Sequence, residues 1–388
     1  MYWGRKPFMG LSSAFVNVKK GDIVLDPLCG SGSPAVAALM KGARVIAADL
    51  NPMAVFMTRV LVRPISIPAL EAAFEDVKER VAHAILGEYE VKCPRCRKTA
   101  QIEYVLWEGK ADDAKPIKAR VECDNCRYSD LKTLTPTVAK RQVLAAKMRP
   151  RRWYPKSRIH SSRKPPVIHH YELFTGRNLS MLAELLHAIN QTSTDNCRDA
   201  LLYVFTALLY SCSNMQMFSE KEPSSSRGWT AKRYYVPPKR KEKNVWKTFE
   251  TRFKSLLNCK KLLNREIPWV RVTDSPKEFF SKGYEALAYR ADSSDAIRSH
   301  GKHVQHVFLD PPYNDDIDYL GFSEFWGSWL RMKFDFRAEW HPRELKAEGL
   351  EKLLPLHVPG KICSGVIETS VESKEEKELR SYLRVIAH

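Results

Sequence analysis

Two short apolar runs that each end in aspartate, Asp22–Asp26 (DIVLD) and Arg44–Asp49 (RVIAAD), flank a glycine-rich turn and an alanine-rich stretch reaching Lys41-Gly42. Runs that are apolar on both faces suit strands covered by helices, glycines break them, and alanines favour the helix between. The pattern predicts strand, tight turn, helix, strand: a βαβ unit with a parallel pair, closed by a second helix from Pro52 to about Leu61. The rhythm stops near Pro64 and resumes only with Glu285–Arg290 and Val304–Asp310 (VQHVFLD), followed by a helix-like segment near Ser323–Met332. The expected fold class is therefore α/β: a parallel sheet built from 1–63 and 283–388, interrupted by an insertion over 64–282. A chain of 388 residues has room for both.

The insertion opens with an amphipathic helical pattern, Leu70 to about Leu86, and then carries Cys93-Pro94-Arg95-Cys96 and Cys123-Asp124-Asn125-Cys126 with 26 residues between the pairs. Four thiolates at this spacing can meet tetrahedrally around zinc, with the intervening segment folded as a β-ribbon over about 90–130. Four protein ligands leave no position for water, so a zinc held by Cys93, Cys96, Cys123 and Cys126 is structural. Lys92, Arg95, Arg97, Lys98 and Arg127 beside them could meet phosphate. Nine cysteines, an odd number, point to metal binding in a reducing compartment rather than to a disulfide framework. The five scattered ones read as small buried residues. No apolar run approaches the roughly 20 residues that cross a bilayer, and MYWGRKPF carries no apolar signal core. A cytoplasmic protein without a membrane partner is expected.

A formal net charge of +18 favours an anionic partner, polyphosphate backbone being the commonest, although excess charge also simply keeps a protein soluble. The basic, aromatic tract Lys147–Lys164 (KMRPRRWYPKSRIHSSRK) contains Arg149, Arg151, Arg152, Trp153, Lys156 and Arg158. Cations interleaved with flat rings suit a nucleic-acid backbone and an extruded base, and a solvated loop would have the same composition. Leu179–Ile189 and Ala200–Met217 read as helices, and Pro223–Lys243, rich in Ser, Pro, Lys and Arg, as an exposed loop.

Two motifs carry chemistry. In Asp26-Pro27-Leu28-Cys29-Gly30-Ser31-Gly32 a carboxylate ends a strand and two glycines let the backbone turn beneath a ligand before a helix starts. The G-x-G-x-x-G of dinucleotide enzymes is absent and no lysine follows the glycines, which disfavours NAD and ATP. Asp49, at the second strand end, can accept ribose hydroxyls; an ordinary capping aspartate would look the same. In Asp310-Pro311-Pro312-Tyr313 two prolines fix a rigid turn that holds the flanking carboxylate and phenol in a defined relation.

Together with Tyr2-Trp3-Gly4-Arg5-Lys6-Pro7-Phe8, Asp49-Leu50-Asn51-Pro52 and DPPYNDDIDYLGFSEFW from Asp310 to Trp326, these motifs resemble the amino-group DNA methyltransferases, specifically the adenine-specific DNA methylases that contain a zinc ribbon. The resemblance covers both ends of the chain and matches the middle weakly. It implies a Rossmann-like methyltransferase sheet with S-adenosylmethionine over the turn made by Asp26, Pro27, Cys29, Gly30 and Gly32. It also implies the ribose on Asp49 with Leu50 beside it, the methionine end near Lys6 and Pro7, and the cofactor's adenine toward Asp292. The substrate implied is double-stranded DNA with the target base flipped out. Asp310 and the Pro311 carbonyl would accept the amine hydrogens, localising its lone pair toward the methyl donor, while Tyr313 stacks on the base. Aspartate at 310 favours adenine N6, and the motif order places target recognition in the insertion, over about 131–282. Family members continue their sheet after this motif, whereas here the chain ends on a charged helical stretch, Lys374 to about Ile386. Either a second polypeptide or chain copy completes the sheet, or the final segment has diverged from the family's pattern. An RNA base-amine methyltransferase and a non-catalytic, zinc-stabilised DNA-binding subunit of a modification or defence complex are the alternatives.

Overall fold

The structure is a computed structural model that describes residues 11, 13–109, 113–160, 169–219, 234–310 and 319–334. In chain order its elements are β1 (Ile23–Asp26), α1 (Ser33–Met40), β2 (Arg44–Asp49), α2 (Pro52–Val62), α3 (Ile67–Gly87), β3 (Glu90–Lys92), β4 (Thr99–Glu108), β5 (Lys115–Cys123), β6 (Tyr128–Thr133) and α4 (Pro136–Ala146). There follow α5 (Gly176–Asn190), α6 (Asp195–Leu209), β7 (Lys239–Lys243), α7 (Val245–Glu266), β8 (Val272–Thr273), α8 (Pro276–Ser281), β9 (Ala286–Arg290), α9 (Ser293–His300), β10 (His306–Val307) and α10 (Tyr319–Gly327). The fold is mixed α/β with one parallel and one antiparallel sheet. Its described residues divide into two compact units, those up to 67 with 256–310, 319–327 and 332–334, and those within 68–255 with 328–331.

The first unit holds the parallel sheet, ordered β10-β1-β2-β9-β8. β1 and β2 are buried along almost their whole length, as strands with helices on both faces must be. Leu25, Ile46, Phe279, Leu287, Ile297 and Val304 form a core under them. Pro52 begins α2 at a position where a missing N–H costs nothing, and Asn51 caps it by accepting from the Met53 N–H at 3.0 Å. The chain winds from β1 to β2 and on to the β8–β9 side, and α9 then returns it to the opposite side of β1. The strand order thus reverses at β1. In open parallel sheets, ligands bind outside the strand carboxyl ends at such a reversal.

The second unit holds the antiparallel sheet β3-β4-β5-β6, with β7 pairing Tyr104–Glu108 of β4. Its helical layer includes α3, which buries Leu70, Phe74, Val77, Val81 and Ile85, and the Phe74 ring stacks on Phe253 at 3.9 Å.

Several expectations are corrected. Lys239–Lys243 is not loop but strand, and Arg240, Lys241 and Glu242 within it are buried. The helix read over Ala200–Met217 runs Asp195–Leu209, that near Ser323–Met332 runs Tyr319–Gly327, and within Val304–Asp310 only His306–Val307 is strand. The break between units at 255/256 also differs from the expected return at 283. The reason is α7, a continuous helix whose second half belongs with the parallel sheet. Lys260 on it, 1% exposed, donates to the carbonyls of Val60, Leu61 and Arg63, closing the C-terminal end of α2. The expected terminal helix near Lys374–Ile386 lies outside the described residues.

Candidate functional site

At the strand-order reversal three aspartates converge. Asp26 ends β1 and is 1% exposed; its Oδ1 accepts from the Leu28 N–H at 3.3 Å, and its Oδ2 has no hydrogen-bond partner. Burial holds this carboxyl well above the ordinary range, the Leu28 N–H opposes the shift, and the charges of Asp49 and Asp310 add to it. Asp49 ends β2. Burial pushes it up to about 6, against hydrogen bonds at 2.9 Å from the Asn51 and Gly30 N–H groups. Asp310 follows β10, which pairs in parallel with β1 and extends the ladder through Phe308 N–H to the Leu25 carbonyl at 2.8 Å. One sheet edge therefore carries a glycine turn and three acids, of which Asp49 and Asp310 oppose the ionisation of Asp26.

The turn itself is held from below. Cys29 donates its N–H to the Ala48 carbonyl at 3.0 Å and accepts at sulfur from Thr58 Oγ1 at 3.5 Å, so its side chain faces inward and its thiol is pushed well up by burial. Gly32 caps α1 in the left-handed region (φ 79°), and a Cβ there would lie 2.7 Å from Thr58 Oγ1 and 2.9 Å from Thr58 Cα. Only glycine fits. Pro27 is buried, and Leu50 is half-buried with its carbonyl taking Arg290 Nε at 2.9 Å. Asp292 lies past β9, exposed, and caps α9 through the Ser294 N–H at 2.8 Å. Both Asp49 oxygens brace main chain, one at Gly30 and the other at Asn51, while the cap of α2 is Asn51. Lys6, Pro7, Pro311, Pro312 and Tyr313 lie outside the described residues.

Sequence reasoning missed two contacts here. Buried Asn51 donates to Ser323 Oγ at 2.7 Å, tying the segment after β2 to α10 across 272 residues. Asn-Pro signals a helix start, but nothing local marks Ser323 as its partner. Thr58, which closes on both Cys29 and Gly32, carries no motif.

In the second unit, the thiols of Cys93, Cys96, Cys123 and Cys126 all lie within 4.8 Å of one another. The Sγ atoms of Cys93 and Cys126, and of Cys96 and Cys123, are 3.6 Å apart. That is far beyond a disulfide and close to the roughly 3.8 Å edge of a tetrahedron with 2.3 Å zinc–sulfur bonds. The cluster could hold a metal ion. Each pair sits on a tight turn, β3 to β4 and β5 to β6, whose residue after the second cysteine is left-handed: Arg97 (φ 64°) and Arg127 (φ 52°). Main-chain N–H groups point at sulfur, as Arg95 does toward Cys93 at 3.4 Å. Hydrogen bonds led by the Lys98 N–H pull the Cys96 thiol down to about 6, while burial and the neighbouring thiols push Cys126 up to about 12.

Arg149, Arg151, Arg152, Trp153, Lys156 and Arg158 are all exposed. Arg152 pairs with Glu184 at 3.1 Å, Lys156 lies 5.5 Å from the centre of the Tyr154 ring, and the Arg331 guanidinium covers Trp153 at 4.2 Å. The described surface here is basic and aromatic. No protein-family model, curated protein or solved structure matches the chain.

Proposed function

We propose that this chain is an S-adenosylmethionine-dependent methyltransferase acting on an exocyclic base amine in double-stranded DNA, adenine N6 being the target. On this reading the parallel sheet is a Rossmann-like methyltransferase sheet and the antiparallel unit carries an inserted zinc ribbon. One observation carries the reading: the glycine turn after β1 and Asp310 after β10 terminate adjacent parallel strands at the order reversal, near enough for Asp310 to raise the Asp26 carboxyl.

The residues present fit this cofactor. Asp26 Oδ2 is a buried acceptor lacking a hydrogen bond, and the crowded acids favour a cationic ligand while repelling the phosphates of NAD or ATP. S-adenosylmethionine carries a sulfonium and an ammonium, and when bound it supplies an electrophilic methyl group. Asp49 holds the Gly30 turn in place, and Asp26, whose Oδ2 lacks a hydrogen bond, would hold a cationic group of the cofactor. Asp310 would accept an N–H of the base amine, drawing its lone pair out of the ring for attack. The roles of Pro311, Pro312, Tyr313, Lys6 and Pro7 rest on the resemblance of their motifs. The thiol geometry supports a structural zinc.

Labelled cofactor, duplex DNA and mass spectrometry of the nucleosides test the proposal. N6-methyladenine is expected, and Asp310→Ala should lower turnover by at least about 100-fold while cofactor binding persists, as loss of a charge-positioning group does. Methylation of tRNA or rRNA with none of DNA would redirect the reading to RNA. Cofactor binding without transfer to either would reject it.

A further inference from the structure

Three non-glycine residues among those described have positive φ, and all three are arginines: Arg97, Arg127 and Arg331. A left-handed conformation is costly for a residue with a Cβ, and glycine or asparagine is its usual occupant. Arg331 has a local explanation, since its guanidinium lies 4.2 Å over the Trp153 ring. At Arg97 and Arg127 the cysteine turn itself sets the conformation, as the Arg97 N–H to the Cys93 carbonyl at 3.1 Å shows, but no described side-chain contact accounts for arginine there in place of glycine. They occupy equivalent positions, each following the second cysteine of a C-x-x-C turn, and neither side chain has an ion-pair partner among the described residues.

Their surroundings sharpen the contrast. Several cations on or beside the body of the sheet are matched: Arg120 to Glu103 at 3.0 Å, Lys132 to Asp130 at 3.0 Å, Lys239 to Glu108 at 3.2 Å, and Lys247 of α7 to Glu122 at 2.6 Å. At the tip of the two turns Lys92, Arg95, Arg97, Lys98 and Arg127 are exposed against one exposed carboxylate, Asp124. Arg95 and Lys98 fasten one turn to the other, through the Cys126 carbonyl at 3.5 Å and Asn125 Oδ1 at 3.0 Å. A divalent metal with four thiolates would be a dianion, and the tip would remain positive even so. We infer that the tip of the cysteine turns is a contact surface for the phosphodiester backbone of duplex nucleic acid, with Arg97 and Arg127 as its fixed contacts. The inference rests on nucleic acid being the substrate class. Arginine suits the role because its planar fork meets two phosphate oxygens at once, and a rigid turn presents it already oriented.

The test uses the full zinc-loaded chain and a fluorescent duplex of mixed sequence, with affinity measured across a salt series. Arg97→Gly/Arg127→Gly removes both side chains at positions glycine tolerates better than arginine. Thermal midpoint and zinc content should hold or rise, whereas affinity should fall about 10-fold or more and the slope against log salt should shrink by about 0.9 per lost contact. Arg97→Lys/Arg127→Lys should retain part of the slope. The inference is overturned if the glycine pair binds with the wild-type slope, or if it loses zinc and stability instead, which would make the arginines structural. Competition by polyglutamate as effective as by DNA at equal charge would also overturn it, marking an acidic protein as the partner. Absence of binding by the wild type to both DNA and RNA duplexes would reject the proposed function as well. Wild-type binding and methylation with an unaltered glycine pair would reject only this surface.

Discussion

Asp49 stands where a strand end, a glycine turn and a helix start meet, and its two oxygens reach the N–H groups of Gly30 and Asn51. A buried carboxyl in that position is pulled two ways: burial raises it and the two donors lower it, leaving it at about 6. In an unfolded chain the same group titrates near 3.9. The folded protein therefore holds the proton more tightly, so this residue's contribution to stability is full below about pH 4 and declines as pH rises through about 6, by about 3 kcal/mol at most. Asp26, raised in the same direction, adds to the decline. Asp49→Asn keeps the shape and cannot ionise. The stability difference between wild type and Asp49→Asn, measured by denaturant unfolding at pH 4.5 and at pH 7, should shift in favour of the variant at the higher pH. A difference that does not change with pH would mean Asp49 titrates normally and is not enclosed as described.

Strand β7 makes the corresponding case for an element. A run of Lys-Arg-Lys-Glu-Lys belongs in solvent by composition, yet Glu242 is 1% exposed. It is tolerated because Trp107 and Thr175 donate to it at 2.7 Å and fully buried Arg177 pairs with it at 2.9 Å. Arg177 in turn reaches Gln142 at 2.7 Å and covers the Tyr89 ring. Glu242→Ala should therefore destabilise by about 3–5 kcal/mol, because it leaves a cation and two donors unmatched, whereas Arg177→Met/Glu242→Leu should recover much of the loss. Losses that add, with the double variant losing the sum of what Glu242→Leu and Arg177→Met lose singly by urea unfolding, would show that the pair is not coupled. The contrast explains what the sequence could disclose. β1, α1 and β2, and the cysteine turns, depend on neighbours a few residues apart, so periodicity, glycines and ligand spacing reveal them. β7 depends on Arg177, 65 residues earlier, and the Asn51–Ser323 bond on a partner 272 residues away. No local pattern encodes such a partner. At the sheet edge, Asp26 and Asp49 were legible as candidates because each ends an apolar run, while the bracing of Gly30 by Asp49 follows only from strand pairing.

Across the whole molecule, the two candidate sites belong to different compact units, so two ligands should act on different parts of the unfolding curve. The cysteine cluster joins the β3–β4 turn to the β5–β6 turn, and every one of its four residues lies in the second unit. Metal binding to folded thiolates is folding free energy, and without it each turn keeps only its own main-chain bonds, such as Cys93 N–H to the Lys98 carbonyl at 2.8 Å, and the Arg95 and Lys98 contacts between them. The glycine turn and its acids lie wholly in the first unit, where a ligand at 100 times its Kd adds about 2.7 kcal/mol to the folded state. Calorimetry of the zinc-loaded chain should resolve two transitions. Chelation should lower one of them by about 5–10 °C or more and leave the other in place, and S-adenosylmethionine should raise the one that chelation spares, also by about 5–10 °C. α7 runs unbroken from one unit into the other and is the element best able to merge the two events. If chelator and cofactor displace the same transition, the chain unfolds as one cooperative body and the assignment of each ligand to its own unit fails.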